Sequence, residues 1–136
     1  MNNEKIAIDV VLIPPDDIIQ YAVDINKTFP ETTAENYILD AQTCIPHITL
    51  LMGLITREQI PEVGRKLAEL SKKFSALNLT ITHSKSSAQS DGKVISGLEI
   101  ERTPELQKLH EAICDEMVSI FTYDGVTKEM FFAPPP

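Results

Sequence analysis

The run from Lys5 to Ile13 is rich in Ile and Val and stops at Pro14-Pro15. β-Branched residues favour extended, buried backbone, and two consecutive prolines cannot continue a hydrogen-bonded ladder, so the run predicts a strand that ends at the prolines. Asp9 interrupts it, and no apolar stretch of the sequence reaches the ~20 residues that a membrane-spanning helix needs. Met1-Asn2-Asn3-Glu4-Lys5 lacks the basic start and long apolar middle of a secretory signal, which sets the expectation of a cytoplasmic protein without a membrane partner.

Beyond the prolines the hydrophobic period changes. Asp16-Asp17 offers an acidic helix start, and Ile18, Ala22, Ile25 and Phe29 fall on one helical face until Pro30; Glu31 to Asn36 reads as a polar loop. Two apolar patches follow, Tyr37-Ile38-Leu39 and Ile45 to Met52, separated by Asp40-Ala41-Gln42-Thr43. They predict two short strands or one interrupted strand, ending at Gly53. Thr56-x-x-Gln59 resembles a capping box ahead of Ile60, Val63, Leu67, Leu70 and Phe74, the pattern of an amphipathic helix. Leu77 to His83 alternates, and Val94 to Ile100 forms a second β-like run after a polar loop from Ser84 to Gly92, so a hairpin is expected. Thr103 as N-cap and Pro104 at the first helical position open a helix carrying Leu106, Leu109, Ile113, Met117 and Ile120, with a stop or turn at Asp124-Gly125.

This order mixes hairpin and crossover connections and argues an α+β architecture. With 136 residues, 43% of them hydrophobic and 24% charged, residues 1–136 are expected to form a single domain. Met130-Phe131-Phe132 looks like the start of another strand, whereas Ala133-Pro134-Pro135-Pro136 has the character of a linker, so the natural polypeptide is expected to continue.

Twelve basic against 20 acidic residues give a formal net charge of −8, opposite to the surface that duplex DNA binding requires. A small anionic ligand is compatible with that charge, because one pocket needs only a few local donors. Cys44 and Cys114 lie far apart without paired metal or redox spacing and read as buried thiols. No cluster of His, Cys, Asp or Glu has ligand spacing, so neither a metal nor another cofactor is expected.

Of the three histidines only His47 is followed two positions later by a hydroxyl residue, Thr49. In Cys44-Ile45-Pro46-His47-Ile48-Thr49-Leu50-Leu51-Met52-Gly53 an extended backbone places His47 and Thr49 on one face, with Ile48, Leu50 and Met52 turned to the core. An imidazole donates or accepts a proton near neutral pH, and a threonine hydroxyl can donate to a phosphate oxygen, so the pair can grip one anion. The plainer alternative is a structural histidine packed beside Pro46. His83, on the face of Leu77, Leu79 and Ile81, is expected to be half-buried and structural, and His110 is expected to flank a core stripe. Ser84, Ser86, Ser87 and Ser90 with Lys85 and Lys93 read as a solvated hairpin tip rather than a phosphate-touching loop.

Pro46-His47-Ile48-Thr49-Leu50 resembles the first His-x-Thr/Ser motif of the two-histidine (2H) phosphoesterase superfamily, which includes 2′-5′ RNA ligase-like proteins and cyclic phosphodiesterases. The similarity extends to the strand closing on Pro14-Pro15, the motif strand ending in Gly53, the hairpin and Leu106-x-x-Leu109-His110. It implies a bilobal fold of antiparallel sheets with outer helices, its second lobe incomplete here. It also implies metal-independent hydrolysis or ligation of 2′,3′-cyclic or 2′-5′-linked nucleotide phosphodiesters, as in RNA processing. His47 would be one of two acid–base histidines and Thr49 would hold a non-bridging oxygen. The family's second motif would lie beyond Pro136, so this chain alone is expected to be weakly active or inactive. A nucleotide-phosphate binding module without turnover is the alternative.

Overall fold

The computed structural model describes residues 4–28, 38–88 and 94–131. The architecture is α+β, with two small antiparallel sheets and three α-helices distributed over two compact units, Met1–Ile60 with Val118–Pro136, and Pro61–Met117.

In the first unit, β1 (Lys5–Leu12) stops just before the two prolines, as their missing donors require. The Pro15 carbonyl then accepts from the backbone N–H groups of Ile18 and Ile19, both at 3.0 Å, and starts α1 (Asp16–Asn26). Asp16 and Asp17 occupy its first turn, where a carboxylate complements the positive end of the helix dipole. β1 pairs antiparallel with β2 (Ile48–Thr56), Lys5 opposite Thr56 and Val10 opposite Leu51. The register then shifts so that Val11 faces Thr49, leaving Leu50 as an extra residue and bending the strand beside the motif. Val10, Ile19, Val23, Leu50, Leu54, Ile55 and Ile120 are buried.

Gly53 does not end β2. The strand runs on to Thr56, and at Leu54 it exchanges backbone hydrogen bonds of 3.0 Å in both directions with Thr122. The glycine is required by close approach: a Cβ at this position would overlap the ring of Phe121. Ile38 and Leu39 form no strand. The Leu39 N–H donates to Asn26 Oδ1 (2.8 Å), and a turn organised by Asp40 follows. The expected turn at Asp124-Gly125 is present, with Gly125 at φ 78°. Met130 lies in a short 3-10 turn, Lys128–Met130, and not in a strand. Phe29, Pro30, the loop from Glu31 to Asn36, Tyr37, Phe132 and the terminal prolines lie outside the described residues.

The Thr56 capping box closes this stretch of the first unit as expected, the Thr56 N–H accepted by Gln59 Oε1 at 2.8 Å ahead of α2 (Ile60–Ser71), most of which lies in the second unit. The hairpin of β3 (Ile81–Ala88) and β4 (Val94–Ile100) is present but displaced from the sequence expectation. Leu77 to Thr80 carry no strand, while Ser84 to Ala88, polar enough to read as loop, pair across the sheet: Lys85 faces Gly97, and the Ser86 and Ser96 hydroxyls bond at 2.7 Å. Pairing across strands overrides polarity when the partner strand is in place. α3 (Pro104–Met117) starts where Thr103 Oγ1 accepts the Leu106 N–H at 3.1 Å. It ends at Met117, before Ile120. Lys66 on α2 and Glu116 on α3 form an ion pair of 3.1 Å. Thr103→Ala should lower stability by about 1 kcal/mol by orphaning a donor in the first turn; an unchanged urea midpoint would refute the cap. No described helix is long and apolar enough to cross a membrane.

Candidate functional site

His47 lies one residue before β2, exposed, in the extended backbone that leads from Pro46 into the strand. The segment before it is pinned by Asp40. Asp40 Oδ1 accepts from the backbone N–H groups of Gln42, Thr43 and Cys44, Oδ2 accepts from the Thr43 hydroxyl, and the Asp40 N–H closes the turn on the Cys44 carbonyl at 3.0 Å. These donors, the Thr43 hydroxyl foremost, hold the Asp40 carboxyl well below the usual carboxylate range. Burial, with Asp40 beside it, pushes the Cys44 thiol up, so a reactive thiolate is disfavoured at neutral pH.

A carboxyl depressed in the folded state stabilises that state fully above its ordinary value of 3.8 and loses the contribution as pH falls below it. The Gln42, Thr43 and Cys44 amides should therefore stay protected from exchange down to about pH 3.8 and become labile only in stronger acid. In Asp40→Asn, loss of this protection at neutral pH is the expected result. Equal protection in both proteins would show that the carboxylate is not what holds the turn.

The sequence pairs His47 with Thr49, and the structure adds a third residue, Asp9. His47 Nδ1 is 2.7 Å from the Ile45 carbonyl oxygen, and Nε2 is 3.3 Å from Asp9 Oδ2. The Thr49 hydroxyl donates to the same Asp9 Oδ2 at 3.0 Å. Asp9 reaches both because it lies on β1 two positions before Val11, the residue opposite Thr49, and alternate strand residues share a face. The His47 side chain is 41% exposed and that of Asp9 27%. Asp9 Oδ1 is buried and has no hydrogen-bond partner among the described residues.

A neutral imidazole has one N–H, whereas imidazolium has two, so only the protonated ring donates to Ile45 and Asp9 together. When Nδ1–H is given to the carbonyl, Nε2 is the nitrogen left for a reacting group. The Ile45 contact thus fixes the ring's orientation, as second partners of functional histidines do. Thr49 departs from the sequence expectation in one respect: its single hydroxyl hydrogen is given to Asp9, and it can serve a phosphate oxygen only by leaving that carboxylate.

The other two histidines belong to the second unit. His83 is exposed, not half-buried as expected. Ile81 pairs with Ile100 but His83 with Glu99, so the bulge at Thr82 turns His83 to the face opposite Ile81. His110 is half-buried on α3 as expected, with Cys114 Sγ one turn on and 3.7 Å from Nε2. Ser84, Ser86 and Lys85 are exposed on β3; Ser90 and Lys93 lie outside the described residues. A cavity of about 480 Å³ in the second unit is lined by Lys73, Phe74, Leu77, Thr103, Glu105 and Lys108 and contains no histidine. Among the described residues no three His, Cys, Asp or Glu side chains form a group able to hold a metal ion.

Asp9 is the residue that sequence reasoning missed. Its signal was a single carboxylate inside an otherwise apolar strand, a position where a charge needs a partner. No family model, no curated protein and no solved structure matches the chain.

Proposed function

We propose that His47 and Thr49 form one half of a phosphodiester-cleaving site of the two-histidine phosphoesterase kind, acting without a metal on 2′,3′-cyclic or 2′-5′-linked nucleotide phosphodiesters. The observation that carries the reading is the convergence of His47 Nε2 and Thr49 Oγ1 on a single anionic oxygen, Asp9 Oδ2, at 3.3 and 3.0 Å. An exposed hydroxyl donor and an exposed imidazole nitrogen that meet on one carboxylate oxygen are arranged as a phosphate's non-bridging oxygen requires when the ring is protonated. The α+β architecture and the motif's position at the head of β2 are consistent with the bilobal family fold, which is part of the proposal.

In hydrolysis of a cyclic diester, water adds to phosphorus, one P–O ester bond breaks, the water's proton passes to a base, and the departing 2′ or 3′ oxygen takes a proton from an acid. His47 Nε2 fills one of these two roles, and Thr49 stabilises the charge that builds on a non-bridging oxygen. The sequence holds a single His-x-Thr/Ser tripeptide, so the opposite role is left to a group outside this constellation.

The test is to add a 2′,3′-cyclic nucleotide to wild-type protein and to His47→Ala, following hydrolysis together with the NMR signals of the His47 ring and the Thr49 methyl. Saturable shifts at both residues, with slow turnover abolished in His47→Ala, are expected. Equal turnover by both proteins, or binding that leaves both signals unmoved, would defeat the assignment. A second reading, nucleotide-phosphate binding without turnover, is favoured by the engagement of both ring nitrogens and the Thr49 hydroxyl within the protein. It would be selected by saturable binding with no hydrolysis that disappears in the His47→Ala, Thr49→Ala double variant.

A further inference from the structure

We propose that Asp9 is an internal competitor for the phosphate: its carboxylate occupies the anion position between His47 and Thr49, so that the site admits a singly charged phosphodiester in preference to a doubly charged phosphomonoester. The inference rests on the reading of His47 and Thr49 as a phosphate site and assigns that site a charge selectivity that neither residue supplies.

Two donors alone would favour whichever anion carries more charge. Here Thr49 already donates to Asp9 Oδ2 at 3.0 Å, and His47 Nε2 stands at ion-pair distance, 3.3 Å, from the same oxygen. An entering phosphate must take these donors over while the carboxylate remains nearby, anchored on β1 inside the β1–β2 pairing. The side chain is only 27% exposed, and its Oδ1 is buried without a partner among the described residues, so water screens its charge incompletely. Repulsion scales with the charge of the ligand, and a dianion therefore meets about twice the penalty of a monoanion.

The consequence for the reaction is directional. A cyclic phosphodiester enters with one negative charge. Adding water breaks one ester bond and leaves a phosphomonoester, whose second ionisation, with a pKa of about 6, releases a further proton and gives the product a second charge at neutral pH. Asp9 then opposes the product more than the substrate and speeds its departure. A role confined to orienting His47 predicts something different: removing the charge while keeping the shape would weaken anion binding or leave it unchanged.

The experiment titrates wild-type protein and Asp9→Asn, at fixed ionic strength and neutral pH, with dimethyl phosphate as the monoanion and methyl phosphate as the dianion. The His47 ring signals report binding. Asp9→Asn is expected to bind methyl phosphate at least ~10-fold tighter than wild type, with a smaller gain for dimethyl phosphate. Methyl phosphate bound no tighter by Asp9→Asn overturns the proposal while leaving the phosphate site standing. If neither ligand moves His47 in either protein, the site reading itself fails and the proposal with it. Should Asp9→Asn not fold, wild type decides alone: tighter binding of the dianion than of the monoanion overturns the competitor role.

Discussion

Leu54→Ala is expected to lower the unfolding free energy by about 2–5 kcal/mol, the cost of deleting a buried leucine side chain and leaving a cavity. Leu54 has 0% exposure, and it sits where β2 has neighbours on both edges, paired with Ala7 of β1 on one side and hydrogen-bonded to Thr122 on the other. With backbone held from two directions, the strand has little freedom to collapse into the space, which places the effect toward the upper part of that range. A domain stable by only ~5–15 kcal/mol would lose a large share of its margin. Urea titration is the measurement, with the midpoint falling and the slope unchanged. Leu54→Met, which conserves volume, should cost less than about 1.5 kcal/mol. Val118, 77% exposed, is the control, and its replacement by alanine should stay within about 0.5 kcal/mol. Comparable losses at Leu54 and Val118 would mean that burial at Leu54 does not carry stability.

Gly53→Ala should cost about 1–3 kcal/mol for the addition of one methyl group. Gly125 is the glycine with positive φ among the described residues, so backbone conformation is not the obstacle at Gly53. The obstacle is the Phe121 ring, which the new Cβ would overlap and whose Cγ and Cε2 would both stand at 3.2 Å. Cγ is the ring's attachment point, so relief requires the whole side chain to move on a segment already fixed by the adjacent Leu54–Thr122 hydrogen bonds. A double-mutant cycle gives the decisive readout. In a Phe121→Leu background the Gly53→Ala penalty should shrink, because the planar ring that collides is gone. An equal penalty in both backgrounds would trace the cost to the β1–β2 ladder instead.

The elements legible from the sequence are those set by local chemistry. Pro14-Pro15 closed β1, Asp16-Asp17 opened α1, Thr56 and Gln59 formed their box, and Thr103-Pro104 began α3, since each signal acts within one turn of chain. Misjudged features depend on a distant partner. Gly53 read as a terminator because Phe121, which explains it, belongs to a remote segment. Ser84 to Ala88 read as loop by their polarity, and the pairing that makes them a strand comes from β4. Strict alternation puts His83 on the face of Ile81, but a bulge reverses it, and a period-two pattern does not reveal a one-residue slip. The site divides in the same way. His47 and Thr49 lie two positions apart and are visible as a pair, whereas Asp9 joins them only through β1–β2 pairing.

The division of the first unit into two stretches of chain bears on the order in which the protein is made. Lys5 Nζ donates to the Asp124 carbonyl across 119 positions, and Leu54 closes on Thr122 in the same way. On a ribosome, β1 and β2 emerge long before Phe121 and Thr122, while the second unit, Pro61–Met117, is a single contiguous stretch. Until the later segment arrives, Leu54 presents an unpaired N–H and C=O on the open edge of β2, a template for pairing with other chains. The strand that carries His47 and Thr49 is thus begun early and completed late, and nascent chains are most exposed to aggregation in that interval.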